Sequence, residues 1–183
     1  MALRLLGDPP IDLHAGGVDL VFPHHENEIA QSEGATRSPF SRFWVHVEHL
    51  LIDEEKMSKS LGNQFNVPDL VTRGFRPSAL RYLYISTHYR KQLKFSWASL
   101  QQAEEAVQRL VDFLARAGSI RGGAAHPDTQ ARVARARDDF GAMLEQDLNT
   151  AGALGVVFDL VRALNTAIDA GELGEPDVAV VRS

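Results

Sequence analysis

The sequence predicts an α/β domain followed by an all-α helical bundle, on three observations. Between residues 11 and 52 come a short alternating run, a helical run, and a run rich in aromatic and β-branched residues. That order is one strand–helix–strand crossover, which calls for a parallel sheet. From Ser96 onward, apolar residues recur at helical spacing in three successive stretches. Finally, the two most unusual loops, Gly16-Gly17 and residues 53–63, each follow a predicted strand. Both therefore fall on the rim where open α/β sheets bind ligands.

Residues 1–6 are apolar with no cap ahead of them and read as a helix entered part-way, broken by Gly7-Asp8-Pro9-Pro10. Ile11-Asp12-Leu13-His14 alternates as a strand. After Gly16-Gly17 the pattern turns helical from Pro23, which suits a first helical turn, to about Glu33, with Gly34 as the expected stop. Residues 43–52 read as one strand. Pro68 and Pro77 open two short helices, and Gly74 ends the first. Leu80, Leu83, Tyr84 and Thr87 form the expected stripe of the second. His88, Arg90, Lys91 and Lys94, interleaved with Tyr89 and Phe95, read as a solvated basic loop, with a phosphate contact as the alternative.

In the bundle, Ser96 is the expected cap of a helix carrying Leu100, Ala103, Val107, Leu110, Val111 and Leu114 and ending at Gly118. Asp128 is the expected cap of the next, with Val133, Ala136, Phe140, Met143 and Leu144 inward. Asn149 or Thr150 caps a third, on Leu154, Val157, Val161, Leu164 and Ile168. Three amphipathic helices on short loops make an antiparallel bundle.

Composition bounds the function. The chain has 183 residues, 44% hydrophobic and 23% charged, with a net charge of -5. This is a globular composition without the global basic signature of a nucleic-acid binder. All its lysines, Lys56, Lys59, Lys91 and Lys94, lie within residues 1–95. There is no cysteine, hence no disulfide framework. No apolar run approaches a membrane span, and the N-terminus lacks a secretory pattern. A cytoplasmic protein with no membrane partner is the expectation.

The residues that carry chemistry are few. Paired glycines after a strand let a backbone approach a ligand that a Cβ would exclude. His24 and Glu28 are four apart on one helical face, the spacing two ligands of one metal ion need. A simple surface pair at that spacing is the plainer alternative. His25-Glu26 does not make a zinc-protease helix, because Ile29 stands where the second histidine belongs. Lys56-Met57-Ser58-Lys59-Ser60 offers two fixed positive charges and two hydroxyls, which suit a polyphosphate and a leaving pyrophosphate.

The literal string KMSKS resembles the signature loop of the class I aminoacyl-tRNA synthetases. "GGVDLVFPHHENEIAQSE" followed by "KMSKSLGN", "SALRYLYISTHYR" and "DLNTAGAL" is similar to the cysteinyl-tRNA synthetase branch over essentially the whole chain. The resemblance implies the C-terminal half of a Rossmann-like catalytic domain with the KMSKS loop in residues 1–60. It further implies connecting helices in 61–95 and an incomplete tRNA-facing bundle in 96–183. It implies activation of cysteine by ATP, with Mg2+, to cysteinyl-adenylate, then transfer to tRNA(Cys). On this resemblance Lys59 contacts the ATP phosphates with Lys56 in support, and Gly16, Gly17 and Asp19 match adenosine-binding positions. His24 and Glu28 match two ligands of a zinc ion that binds the substrate thiolate, with His25 and Asn27 beside them.

The family pattern completes that zinc set with two cysteines, which this chain lacks, and also has a HIGH-type loop that is absent here. One of those cysteines would lie just ahead of the position of Met1. The sequence therefore reads as a fragment without the first half of the fold or the C-terminal end, inactive alone and drawn from a monomeric enzyme. Two alternatives stand beside this reading. One is the related mycothiol-pathway cysteine ligase, with the same adenylation and no tRNA. The other is a non-catalytic nucleotide- or RNA-binding remnant.

Overall fold

The computed structural model describes residues 5–52, 55–56 and 65–182. They fall into two compact units: Met1–Met57 with Tyr89–Lys94, and Ser58–His88 with Phe95–Ser183.

In the first unit, strand β1 (Ile11–Gly17) pairs in parallel with β2 (Ser41–Val47). The register sets His14 opposite Trp44 and Gly16 opposite His46. The crossover between them runs through a 3-10 turn (Val18–Leu20), a kinked segment (Val21–His25) in which Phe22 is extended at φ -136 and ψ 134, and helix α1 (Glu26–Thr36). The strand is thus longer than its alternating residues indicated, because both glycines belong to the ladder. Gly34 does not stop α1. An added Cβ there would meet nothing, and the helix absorbs the glycine at a cost of about 1 kcal/mol. The stop comes at Arg37, in the left-handed region at φ 57, whose N–H bonds the Glu33 carbonyl. Pro39 follows, and the residue before a proline resists helical backbone.

The run from 43 to 52 is two strands, not one. β2 ends at Val47, and β3 (Leu50–Ile52) joins a separate sheet, between β4 (Glu55–Lys56) and β5 (Leu93–Phe95). The Glu48 N–H bonds the Tyr89 carbonyl, and the Leu93 N–H bonds the His49 carbonyl. The basic segment around residue 90 is therefore partly strand. Its alternation was hidden among charged residues.

In the second unit, α2 (Val67–Thr72) begins with a capping box between Asn66 and Asp69, and Gly74 follows it at φ +87. Helix α3 (Pro77–Ile85) starts on its proline and buries Ala79 and Leu83, while Tyr84 faces out. Helix α4 (Trp97–Gly118) is capped by Ser96, whose hydroxyl accepts from the Ser99 N–H at 3.0 Å. Glu104 ties α4 to the start of α3: its Oε2 accepts from the Arg76 N–H at 3.1 Å, and its Oε1 accepts from the guanidinium.

The buried face of α4 is Leu100, Ala103, Ala106, Phe113 and Ala117. Val111 and Leu114, expected inside, are exposed. Small alanines pack closely where the neighbouring helices cross, so the stripe sits to one side of the bulky residues. Helix α5 (Thr129–Glu145) follows Asp128, whose side chain makes no cap and pairs instead with Arg132 at 3.8 Å. Asn149 does cap α6 (Thr150–Asp169), accepting from the Gly152 N–H at 2.9 Å. The residues after Gly171 form a further helix, α7 (Glu175–Arg182).

Phe113, Ala117, Leu164, Ala167 and Leu173 make the core between α4 and α6. At 20 residues α6 is long and apolar enough to cross a membrane by length and composition, contrary to the expectation from the sequence. Its Leu164 is fully buried against the bundle, and Arg162 and Asp159 pair on its outer side at 3.1 Å.

Candidate active site

Alternation along two parallel strands puts every second side chain on one face. On β1 and β2 that face carries His14, Gly16, Trp44 and His46. The turn after β1 and the start of α1 then deliver His24, His25 and Glu28 to the same side. The result is a layer of imidazoles. The His25 ring lies edge-on to His14, with centroids 4.9 Å apart, and tilted to Trp44 at 5.1 Å and to His46 at 5.0 Å.

His25 is the centre of this layer, 3% exposed. Its Nδ1 shares a hydrogen bond with His46 Nε2 at 2.8 Å. Burial pushes the His25 pKa down, and the neighbouring His14 and His46 push the same way, so its ring is neutral at pH 7. Gly16 makes room for it: a Cβ added there would lie 2.7 Å from His25 Cε1 and 2.9 Å from Nε2. The glycine is therefore needed for the side chain behind it as well as for any ligand in front.

Glu28 points into the imidazoles. Its Oε2 lies 3.0 Å from His14 Nε2 and 3.7 Å from His24 Nε2. Yet that oxygen is buried and takes part in no hydrogen bond. His14 Nε2 is close enough to it to form an ion pair. A buried carboxylate oxygen without a donor is costly, and coordination of a cation removes the cost. Imidazole nitrogens and a carboxylate are the protein ligands zinc takes besides thiolate, so the donor set fits zinc. Among the described residues, His14, His25 and Glu28 form the group whose ligand atoms all lie within 4.8 Å of one another.

The other expected site residues are placed as follows. Gly17 ends β1 and caps the 3-10 turn. Asp19 sits in that turn, half-exposed, with Oδ1 4.0 Å from His49 Nδ1. Lys56 contributes backbone to β4. Lys59 lies outside the described residues. His24 and Glu28 share a helical face as their spacing required, but His24 is the outer member, its side chain 59% exposed. His14, Trp44 and His46 were not singled out from the sequence. Their signal was the period of two: residues 14 and 16, and 44 and 46, share one face once the strands are parallel.

A second cleft lies within the helical unit, about 600 Å³, between α4 and α6. Tyr82, Arg109 and Phe158 stand at one end, with the Arg109 guanidinium 5.4 Å from the Phe158 ring centroid. Burial there raises the Tyr82 pKa.

Residues 1–105 match the family described as the tRNA synthetases class I (C) catalytic domain. The chain belongs to that family. Residues 139–181 match the DALR domain. The chain is 49% identical over 173 residues to a cysteine–tRNA ligase of Solibacter usitatus, covering 94% of this chain and 37% of the relative. It is 45% identical over 183 residues to one of Chlamydia caviae, covering 99% and 38%. It is 48% identical over 180 residues to one of Koribacter versatilis, covering 98% and 36%. The chain thus spans a little over a third of the length of the curated relatives it matches.

Among solved structures, a LeuRS–tRNA–LeuAMS ternary complex from Agrobacterium radiobacter K84 aligns with a TM-score of 0.66 at 17% identity. It covers 92% of this chain and 24% of that one, a likeness of fold. The α/β unit followed by helices is therefore the arrangement of a class I synthetase.

Proposed function

We propose that this chain carries adenylate-forming and tRNA-facing parts of a cysteine–tRNA ligase. The observation that carries the reading is the juxtaposition at Gly16. The glycine rim that suits a nucleotide is backed directly by the buried imidazole–carboxylate layer that suits a thiolate-binding metal.

The reaction joins the cysteine carboxylate to the α-phosphate of ATP, expels pyrophosphate, and then passes the cysteinyl group to a ribose hydroxyl of the terminal adenosine of tRNA(Cys), releasing AMP. In-line attack at phosphorus asks a protein mainly for positioning and charge stabilisation. Gly16 and Gly17 let the backbone approach the adenosine, and Asp19 accepts from ribose hydroxyls. Lys59, with Lys56, neutralises the charge that grows on the leaving pyrophosphate, alongside the Mg2+ that accompanies ATP.

On this reading His24 and Glu28 are two ligands of the zinc ion, as the resemblance implies. When bound, zinc supplies a soft acceptor that takes the thiolate of cysteine and leaves the hydroxyl of serine weakly held. Residues 1–60 then serve as the second half of the catalytic domain, 61–95 as connecting helices, and 96–183 as the tRNA-facing bundle of a monomeric cytoplasmic enzyme.

The test is a transplant. This chain replaces the corresponding third of the Solibacter usitatus relative, and amino-acid-dependent ATP–pyrophosphate exchange is measured with cysteine and with serine. Exchange with cysteine at least 100-fold above that with serine is expected. A folded chimera that exchanges with neither contradicts the reading.

A further inference from the structure

Opposite charges three residues apart on a helix surface ordinarily pair with each other. Arg109 and Asp112 on α4 do not. The Arg109 guanidinium reaches across to α6 and lies 5.4 Å from the centroid of the Phe158 ring. The Asp112 carboxylate accepts instead from the Gln108 amide, at 2.6 Å. Among the described residues neither enters an ion pair. Both line the cleft of about 600 Å³ between α4 and α6. We propose that this cleft binds a free α-amino acid with a large apolar side chain, its carboxylate on Arg109 and its ammonium on Asp112.

The division of charge in the cleft is the first support. Arg116 is already taken by Asn165, at 3.1 Å, and by Asp169, and Arg162 is taken by Asp159 at 3.1 Å. One cation and one carboxylate are left uncommitted, about one helical turn apart. A zwitterion satisfies both. A plain anion or a plain cation would meet one of them as a like charge, which disfavours it.

A hydroxyl beside the cation is the second. Tyr82, on α3, lines the cleft and stands T-shaped to Phe158, with ring centroids 6.2 Å apart. Burial raises its pKa and the positive charge of Arg109 opposes the rise, so a neutral phenol stands near the guanidinium. That hydroxyl can donate to a carboxylate held by Arg109.

The third is the cleft floor. Phe113 is buried, and Phe158 and Val161 are half-buried beside it. An apolar wall with a few convergent polar groups is the ordinary make-up of a small-molecule site. A large apolar side chain gains by covering that wall, whereas a small polar one leaves it in water.

All of these residues belong to the helical unit. The inference goes beyond the reading above and uses none of its adenylation or metal chemistry. The experiment is titration of the full chain with L-phenylalanine, followed in 1H–15N spectra and by thermal unfolding. Saturable shifts confined to α3, α4 and α6 around the cleft are expected, with a Tm that rises with ligand concentration. Phenylpropionate lacks the ammonium, phenethylamine lacks the carboxylate, and L-serine lacks the apolar side chain. Each should bind at least about 10-fold more weakly, the scale of one lost hydrogen bond to a charged group or of a lost apolar contact. Arg109→Gln and Asp112→Asn change exposed side chains and should weaken L-phenylalanine to a similar extent. The four ligands are compared on the unmutated chain, so misfolding of a variant cannot obscure the answer. No saturable shift, shifts outside the cleft, phenylpropionate or phenethylamine bound as tightly as L-phenylalanine, or full affinity in either folded variant each overturn the proposal.

Discussion

Gly16 and His25 occupy adjoining space: a Cβ on the glycine would come within 2.7 Å of the imidazole Cε1. The His25 ring is buried and held by His46, so it has no free direction in which to yield. Gly16→Ala should therefore overpack the layer and cost about 1–3 kcal/mol of stability. Gly34→Ala, where an added Cβ meets nothing, should be neutral or mildly stabilising. Denaturant midpoints of the two variants check the contrast. Equal effects would mean that the close approach at Gly16 has no energetic weight.

The same burial makes stability depend on pH. Burial first, then the charges of His14 and His46, hold the His25 pKa below its ordinary value of about 6.5. The unfolded chain then binds more protons than the folded one as pH falls through that value, so stability rises with pH there and is lost on acidification. For chelator-treated protein, the urea midpoint at pH 5.5 should lie below that at pH 7.5. A midpoint that rises on acidification would reverse the sign.

Much of this fold was legible in the sequence, for identifiable reasons. Ser96, Asn149, Pro77 and Gly74 act locally, and each caps or starts the element its chemistry dictates. The parallel pairing followed from a strand, a helix and a strand in close succession. What was hidden depends on partners distant in sequence. The break after Val47 exists because β3 pairs with β4 and β5, not with β1. The inward face of α4 is set by alanines at helix crossings, which hydrophobicity alone ranks below Val111 and Leu114. His14 and His46 were invisible as site residues for the same reason. Neither has a neighbour in sequence that signals chemistry, and only the parallel register brings them to His25.

Glu104 is the single acceptor for both the backbone N–H and the guanidinium of Arg76. Glu104→Gln should lose a charged acceptor and cost about 1–2 kcal/mol. Glu105→Gln, exposed at the adjacent position, should stay within about 0.5 kcal/mol of the parent. Thermal unfolding of the two variants side by side measures the difference, and coincident curves would show that this tie does not hold α3 to α4.

The Ser96 cap predicts a smaller, local effect. Ser96→Ala removes the acceptor for the Ser99 N–H and should cost about 0.5–2 kcal/mol, whereas Ser96→Asp should retain most of the stability. Hydrogen exchange at the first turn of α4 locates the loss. Protection unchanged in that turn would assign the cap no role.

Lys59 bears the most direct test of the adenylation claim. In the transplanted enzyme, Lys59→Ala should slow cysteine-dependent ATP–pyrophosphate exchange by roughly 10²–10³-fold, the scale of one lost transition-state donor. Zinc content should stay unchanged, because the imidazole layer is built from other residues. Exchange as fast in the Lys59→Ala chimera as in its parent would contradict the account.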